Sequence, residues 1–410
     1  MLTSSLKSLR LLGAATALSA FSLALPAHAQ DAVTIGYAIS KTGVNAGGAG
    51  ITTIPNYKLW VHEVNQAGGL KVGAKRLPIK VVEYDDRSSS EDAVRAVERL
   101  ITQDKVDFLL PPWSTAMNLA VAPTFHRYGY PLLAGSAVTE RAPEFAKRWP
   151  NSYWLLGTGS QYAEALVDQL ASLRKAGKIG DSIAMVSIAD GFGIELATAA
   201  RAAFQKAGFK LAYAKTYPVG TQDLAPIVNE AKNLNPDVFI AFSYPPDTMA
   251  ITDQARVLGF NPKVFYTGVG TAFPLYKNRF GANAEGVASL GGIDANSPAV
   301  KAYIQRHKEV TGAEPDRWAS LVTYAGLQVL QQAIEKAGTL DRKAVSAKIA
   351  SEDFETILGR INLKNHMVPN MLTLGQWQNG EFVGIEPASH AGAAKLVFPK
   401  SAWQAGAAAR

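Results

Sequence analysis

The 410-residue chain contains no cysteine. That absence excludes disulfide scaffolds, thiolate metal sites, iron–sulfur clusters, a cysteine nucleophile and a lipidated cysteine anchor. Histidine is scarce as well. His28, His62, His126, His307, His366 and His390 are the whole complement, and no two stand at the helical spacing of a zincin-type site, so no metal is expected. Charged residues make up only 18% of the chain, with a formal net charge of +7. The basic residues are scattered through stretches such as 174–178 and 71–76, which read as solvated surface turns. Nucleic-acid binding wants a denser basic stripe. Beyond residue 25 no stretch is long and apolar enough to span a bilayer.

What is present is an ordinary folded composition: 48% hydrophobic residues, with 35 glycines and 21 prolines. The length suits two domains or three, each with its own core. The first residues have a three-part pattern. Lys7 and Arg10 precede an apolar run over 11–25, and Ala27-His28-Ala29 offers a small-x-small cleavage site. This predicts a secretory leader over 1–29, cleavage after Ala29 and export of the remainder.

Past the leader, short β-rich runs alternate with amphipathic helical stretches. Strands are expected near 33–39, 79–84, 106–110 and 131–133. Helices fall between them over 54–64 and from Ser90, taken as the cap of a helix carrying Val94, Val97, Leu100 and Ile101. The rhythm restarts with strands near 153–156, 182–188, 211–217, 238–242 and 264–266. Two long helical patterns follow, at 299–310 and 318–337, and then a β-rich tail. This is βαβ order, and it predicts an α/β fold of mostly parallel sheets flanked by helices, in two similar lobes.

Ligands of open α/β sheets sit beyond the carboxyl ends of the strands. Those exits hold hydroxyls, small residues and aromatics, without a paired-carboxylate set, a nucleophile–base pair or a phosphate loop. Gly47-Gly48-Ala49-Gly50 lacks the Lys-Ser/Thr of a Walker loop and reads as a loop opening a helix. Asp85-Asp86 reads as a turn that starts a helix rather than as metal ligands. Trp113-Ser114-Thr115 ends a strand and opens a helix. It serves either as an N-cap or as a carboxylate site built from hydroxyls and free N–H groups. Tyr244 and Phe192 stand at two other exits, as ligand-facing or packed aromatics.

In order along the chain, IGYAISKTG, VNQAGGL, VVEYDDRSSSEDAV, DFLLPPWST, GYPLLAGSAV, IADGFG, TDQARVLGF and WASLVTYAGLQVL resemble the type I periplasmic binding proteins. The closer resemblance is to the substrate-binding components of branched-chain-amino-acid-type ABC transporters. The resemblance implies two lobes joined by a hinge of three crossovers. Lobe one takes 30–154 plus 294–348, and lobe two takes 155–293 plus 349–410. It further implies a non-enzymatic, cofactor-free monomer of the periplasm, without a lipid anchor, that closes on a small solute and docks on a membrane ABC permease. The same fold also serves ligand sensors that report to a signalling partner.

Carried across residue by residue, the resemblance places the solute carboxylate against Ser114, Thr115 and Ala116 and against the loop of Ser136, Ala137 and Val138, next to Trp113. Phe192 and Tyr244 supply aromatic walls from lobe two. The acid that pairs with an amino acid's ammonium in this family falls at Val269, and Val138 replaces a frequent Ser/Thr. A buried ammonium without a countercharge costs several kcal/mol. The expected solute is therefore an organic or aromatic acid. A branched-chain or other amino acid or amide remains the alternative, should Asp190 or Asp247 reach the cleft.

Overall fold

The computed structural model describes residues 31–404; the leader expected over 1–29 lies outside them. Two main sheets organise the chain. In the first, Val33–Ile39 runs between Ile79–Asp85 and Phe108–Leu110, all parallel. A parallel pair, Leu132–Ala134 with Ser152–Trp154, stands beside it. Val33–Ile39 is a nearly unbroken apolar run and is buried at almost every position, as a strand covered on both faces must be. Ile79–Asp85 is the edge, and Lys80, Val81 and Glu83 are exposed along it.

The second sheet has seven strands in the order Glu381–Glu386, Leu374–Gln378, Ala288–Leu290, Val264–Thr267, Val238–Phe242, Ser182–Ile188 and Lys210–Tyr217. The last five are mutually parallel. The two tail strands join antiparallel at one edge. The fold is thus the expected two-lobed α/β architecture.

The chain passes between the lobes after Trp154, after Leu290 and again before Leu374. The helices Pro298–Thr311 and Ala319–Ala337 pack back on Ile54–Gln66 of the first lobe. The hairpin of Asp353–Thr356 and Gly359–Asn362, read from sequence as part of lobe two, packs on Ala319–Ala337 and Arg342–Ser351. Two contacts hold it there: Phe354 is buried, and the Gln332 amide bonds both backbone groups of Glu355, at 2.7 and 3.2 Å.

Two local readings change. Residues 71–76 form a small hairpin, Leu70–Val72 with Lys75–Leu77, anchored by buried Leu70 and Leu77 beneath exposed Lys71, Lys75 and Arg76. The cap of the Ser90–Thr102 helix is Ser89, whose hydroxyl accepts from the Asp92 N–H at 3.3 Å. Adjacent serines offer the same chemistry, and the extended φ/ψ of Ser89 selects it.

On the outer side of lobe two the tail is pinned by Lys400, only 3% exposed. Its ammonium lies 3.3 Å from the centroid of the Trp403 ring and bonds Asn261 Oδ1 (2.6 Å) and the Ser401 carbonyl (2.5 Å). Burial among neutral partners pushes this amine down to about 7. An unfolded lysine titrates near 10.4. Between those values the unfolded chain holds a proton the folded chain has released, so stability climbs as pH rises through that window and is lowest below it. Lys400→Met is expected to raise the melting midpoint at pH 6 and to flatten the rise between pH 7 and 10. Melts at pH 6, 8 and 10 check this, and an unchanged slope contradicts it.

Candidate functional site

The carboxyl ends of the two sheets face one another, and the residues there meet around one small enclosed cavity. Eight of the ten residues picked from the sequence line it: Trp113, Ser114, Thr115, Ser136, Val138, Phe192, Tyr244 and Val269. Ala116 and Ala137 do not. Ala137 is buried in the first-lobe core. Ala116 faces the other lobe, where a β-carbon at Gly191 would lie 3.8 Å from its amide nitrogen. Thr52, Leu156, Trp318 and Ala319 complete the lining and were not picked from the sequence.

The first-lobe wall is built of hydroxyls and the start of a helix. Ser114 caps the Thr115–Arg127 helix, accepting from the Met117 N–H at 3.3 Å, with φ at +87°. That backbone region favours glycine and costs a serine on the order of 1–3 kcal/mol, a strain that gathers at binding sites. The Ser114 N–H donates to Ser136 Oγ (3.3 Å). Thr115 Oγ1 sits between the Val138 N–H (3.1 Å) and carbonyl (3.2 Å), tying the helix start to the following loop. The Trp113 indole N–H is fixed on Thr52 Oγ1 at 2.9 Å. The glycine-rich 47–50 stretch, read as a loop opening a helix, is instead the body of a short helix, Ala46–Thr52, and Gly48 is needed there because a β-carbon would come 2.1 Å from the Trp113 ring. The first helical N–H groups together with these hydroxyls make the wall electropositive.

The second-lobe wall is aromatic and acidic. Tyr244 stacks on Phe192 with centroids 5.2 Å apart and tilts against Trp113 at 5.3 Å, so three rings from two lobes meet. The Tyr244 hydroxyl donates to Asp190 Oδ2 at 2.6 Å, and Asp190 Oδ1 caps the Gly191–Lys206 helix through the Gly193 N–H at 2.9 Å. Tyr217 donates to Asp247 at 3.3 Å. Burial pushes both carboxyls above the usual range and the Tyr244 phenol well above its own. Val269 is buried, its N–H and carbonyl spent on the Ser243 carbonyl and the Thr248 hydroxyl.

The lobes also touch outside the cavity. The Thr139 hydroxyl and Glu140 N–H donate to the Glu195 carboxylate at 3.0 and 3.1 Å. The cavity itself is about 20 Å³, room for a water. The Trp113, Phe192 and Tyr244 rings fill the space around it. A hollow of about 770 Å³ by His126, Asn151 and Arg342 is an open surface groove away from the sheet ends. Asp85 and Asp86 hold a turn, as expected: Asp85 accepts from the Lys41, Thr42 and Arg87 N–H groups. Among the described residues no three acidic or histidine side chains converge as a metal site, and no helix is long and apolar enough to cross a membrane.

A family model described as periplasmic binding protein matches residues 32–381. A Leu/Ile/Val-binding protein homolog of Brucella abortus is 23% identical over 346 residues, covering 80% of this chain and 84% of that one. Two solved structures share the fold. The branched-chain amino acid transporter substrate-binding protein of Streptococcus pneumoniae, in complex with isoleucine, superposes with a TM-score of 0.74 at 19% identity, over 90% of this chain and all of that one. A solute-binding protein of an ABC transporter from Rhodopseudomonas palustris, in complex with 3,4-dihydroxybenzoic acid, gives 0.74 at 20% identity, over 87% and 96%.

Proposed function

The chain belongs to the periplasmic binding protein family, and on that premise we propose that it is the extracytoplasmic receptor of an ABC importer for a small organic acid, preferably an aromatic one. The observation that carries this is the polarity of the cleft. Ser114, Thr115 and Ser136 present hydroxyls and helix-start N–H groups on one side, and Trp113, Phe192 and Tyr244 supply flat apolar surface. A carboxylate seats against the donors, and its ring takes the place of the Tyr244 ring between Trp113 and Phe192.

Val269 favours a solute without an ammonium. It stands where the family's countercharge falls and offers only methyl groups. The Asp190 carboxylate, bonded to the Tyr244 hydroxyl, suits a phenolic hydroxyl on the far end of the ring, which would replace that of Tyr244. The same carboxylate supports the second reading, an amino acid whose ammonium pairs with Asp190. The family's receptors are not enzymes and associate with an ABC permease. For this chain we read a monomer, exported with cleavage after Ala29, lobe two closing at its strand exits on lobe one.

Titration calorimetry on ligand-stripped protein tests the reading. Hydroxybenzoates or other amine-free acids are expected to bind at least tenfold more tightly than leucine. The reverse order refutes the acid reading and restores the amino acid. Val269→Glu is expected to move the preference toward α-amino acids by about tenfold or more, since a new buried ion pair replaces an unpaired ammonium. Unchanged leucine affinity in that variant, which circular dichroism would show to be folded, counts against the pocket geometry.

A further inference from the structure

A second cavity, about 280 Å³ and partly open to solvent, lies outside the cleft. It forms where two crossovers, at 292–294 and 368–372, pass the Ala319–Ala337 helix and the turn of the hairpin at 357–359. Ile293, Leu321, Val322 and Leu358 make most of its walls apolar, with Asp294 and His390 also on its lining. Trp318 lines both this cavity and the cleft, so one indole is the partition between them. That indole is fixed. Its N–H donates to the Tyr162 hydroxyl at 3.2 Å, and Gly291 packs so closely that a β-carbon there would lie 2.0 Å from the Trp318 Cδ1.

We propose that this hinge cavity is a second small-molecule site, taking a flat, bicyclic, largely apolar molecule with one N–H or O–H donor, and that its occupant favours the closed lobes. The size follows from the volume. An apolar cavity of ~150 Å³ accepts benzene, and this one is nearly twice that. The donor follows from Asp294, a carboxylate on the lining whose Oδ1 already accepts the Asn296 N–H at 2.9 Å. His390 accepts the Gly392 N–H on Nδ1 at 3.1 Å, so its second ring nitrogen carries a proton and tolerates an acceptor. The coupling follows from the walls. Two of the three crossovers build the cavity, so rotating the lobes changes its shape, and a molecule behind Trp318 braces the cleft wall. A ligand that binds one lobe arrangement better must shift the population toward it, and the effect is reciprocal with cleft binding.

Indole is the probe, added to full-length mature protein. It is expected to raise the melting midpoint saturably, by about 2 °C at ten times its dissociation constant, and to reduce the radius of gyration in solution scattering. Leu358→Trp and Val322→Phe fill the cavity and are expected to abolish both effects. Leu358 lies on a hairpin turn and decides the matter if Val322→Phe does not fold. The proposal is overturned by no shift at millimolar indole, by a shift that survives Leu358→Trp, or by an unchanged radius. None of these outcomes depends on which solute fills the cleft, so the acid reading stands or falls apart from it.

Discussion

Thr115→Val combined with Ser136→Ala is expected to weaken solute binding by at least about 100-fold. In the closed structure the two hydroxyls donate to the Val138 and Pro112 carbonyls, and a bound carboxylate is expected to draw both protons to itself; hydrogen bonds to charged groups contribute about 1.5–3 kcal/mol each. Two at the low end make ~3 kcal/mol, which is about two decades in affinity. The loss extends beyond the ligand contact. Thr115 Oγ1 bonds both backbone groups of Val138, and Ser136 Oγ accepts from the Ser114 N–H, so the double variant also loosens the loop that presents the remaining N–H groups. Thr115→Ser keeps the hydroxyl and should restore affinity to within about threefold. Calorimetry with the bound acid checks the series. A double variant with parental affinity would place the carboxylate elsewhere.

Asp316→Ala is expected to lower stability by about 3–5 kcal/mol. Asp316 is fully buried and starts the Ala319–Ala337 helix, accepting from the Trp318, Ala319 and Ser320 N–H groups at 2.9, 3.0 and 2.6 Å. Truncation leaves three buried donors without an acceptor, and each unsatisfied buried group costs about 1–3 kcal/mol. The neighbouring Arg317 is also affected. It bonds Glu314 and Glu381 across the molecule, with its N–H on the Ala272 carbonyl. Trp318 and Ala319 belong to the cleft wall, so solute affinity should fall together with stability. Asp316→Asn keeps an acceptor and should lose less than half as much. Urea melts of the three proteins test this, and a loss below 1 kcal/mol for Asp316→Ala contradicts it.

The parts of this molecule legible in the sequence are those where local chemistry and tertiary position agree. Buried parallel strands such as Val33–Ile39, Ser182–Ile188 and Val238–Phe242 are apolar runs between turn residues. Most of the cleft could be located because strand exits form binding sites in such sheets, and Trp113, Phe192, Tyr244 and Val269 all follow strands. The hidden parts are non-local. Trp318 and Ala319 reach the cavity because the chain crosses back after Leu290 and the Asp316 cap starts the helix there. Thr52 ends a short glycine-rich helix with little apolar periodicity, and it lines the site through its bond to Trp113. The WASLVTYAGLQVL segment carried the family resemblance, yet nothing in its own spacing marks Trp318 as a wall between two cavities. The 71–76 hairpin was hidden by its lysines and arginine, because two buried leucines are too few to signal strands.

The cleft of Ser114, Thr115, Tyr244 and Val269 is expected to hold an amine-free carboxylate. The most direct measurement is mass spectrometry of the small molecule released on denaturing protein purified from the periplasm of its own cells. The expected result is an organic acid without an amine, carrying an aromatic ring, at about one molecule per chain and lost in the Thr115→Val, Ser136→Ala variant. A stoichiometric α-amino acid, retained by the parent and lost in the same variant, would contradict it and assign the countercharge to Asp190.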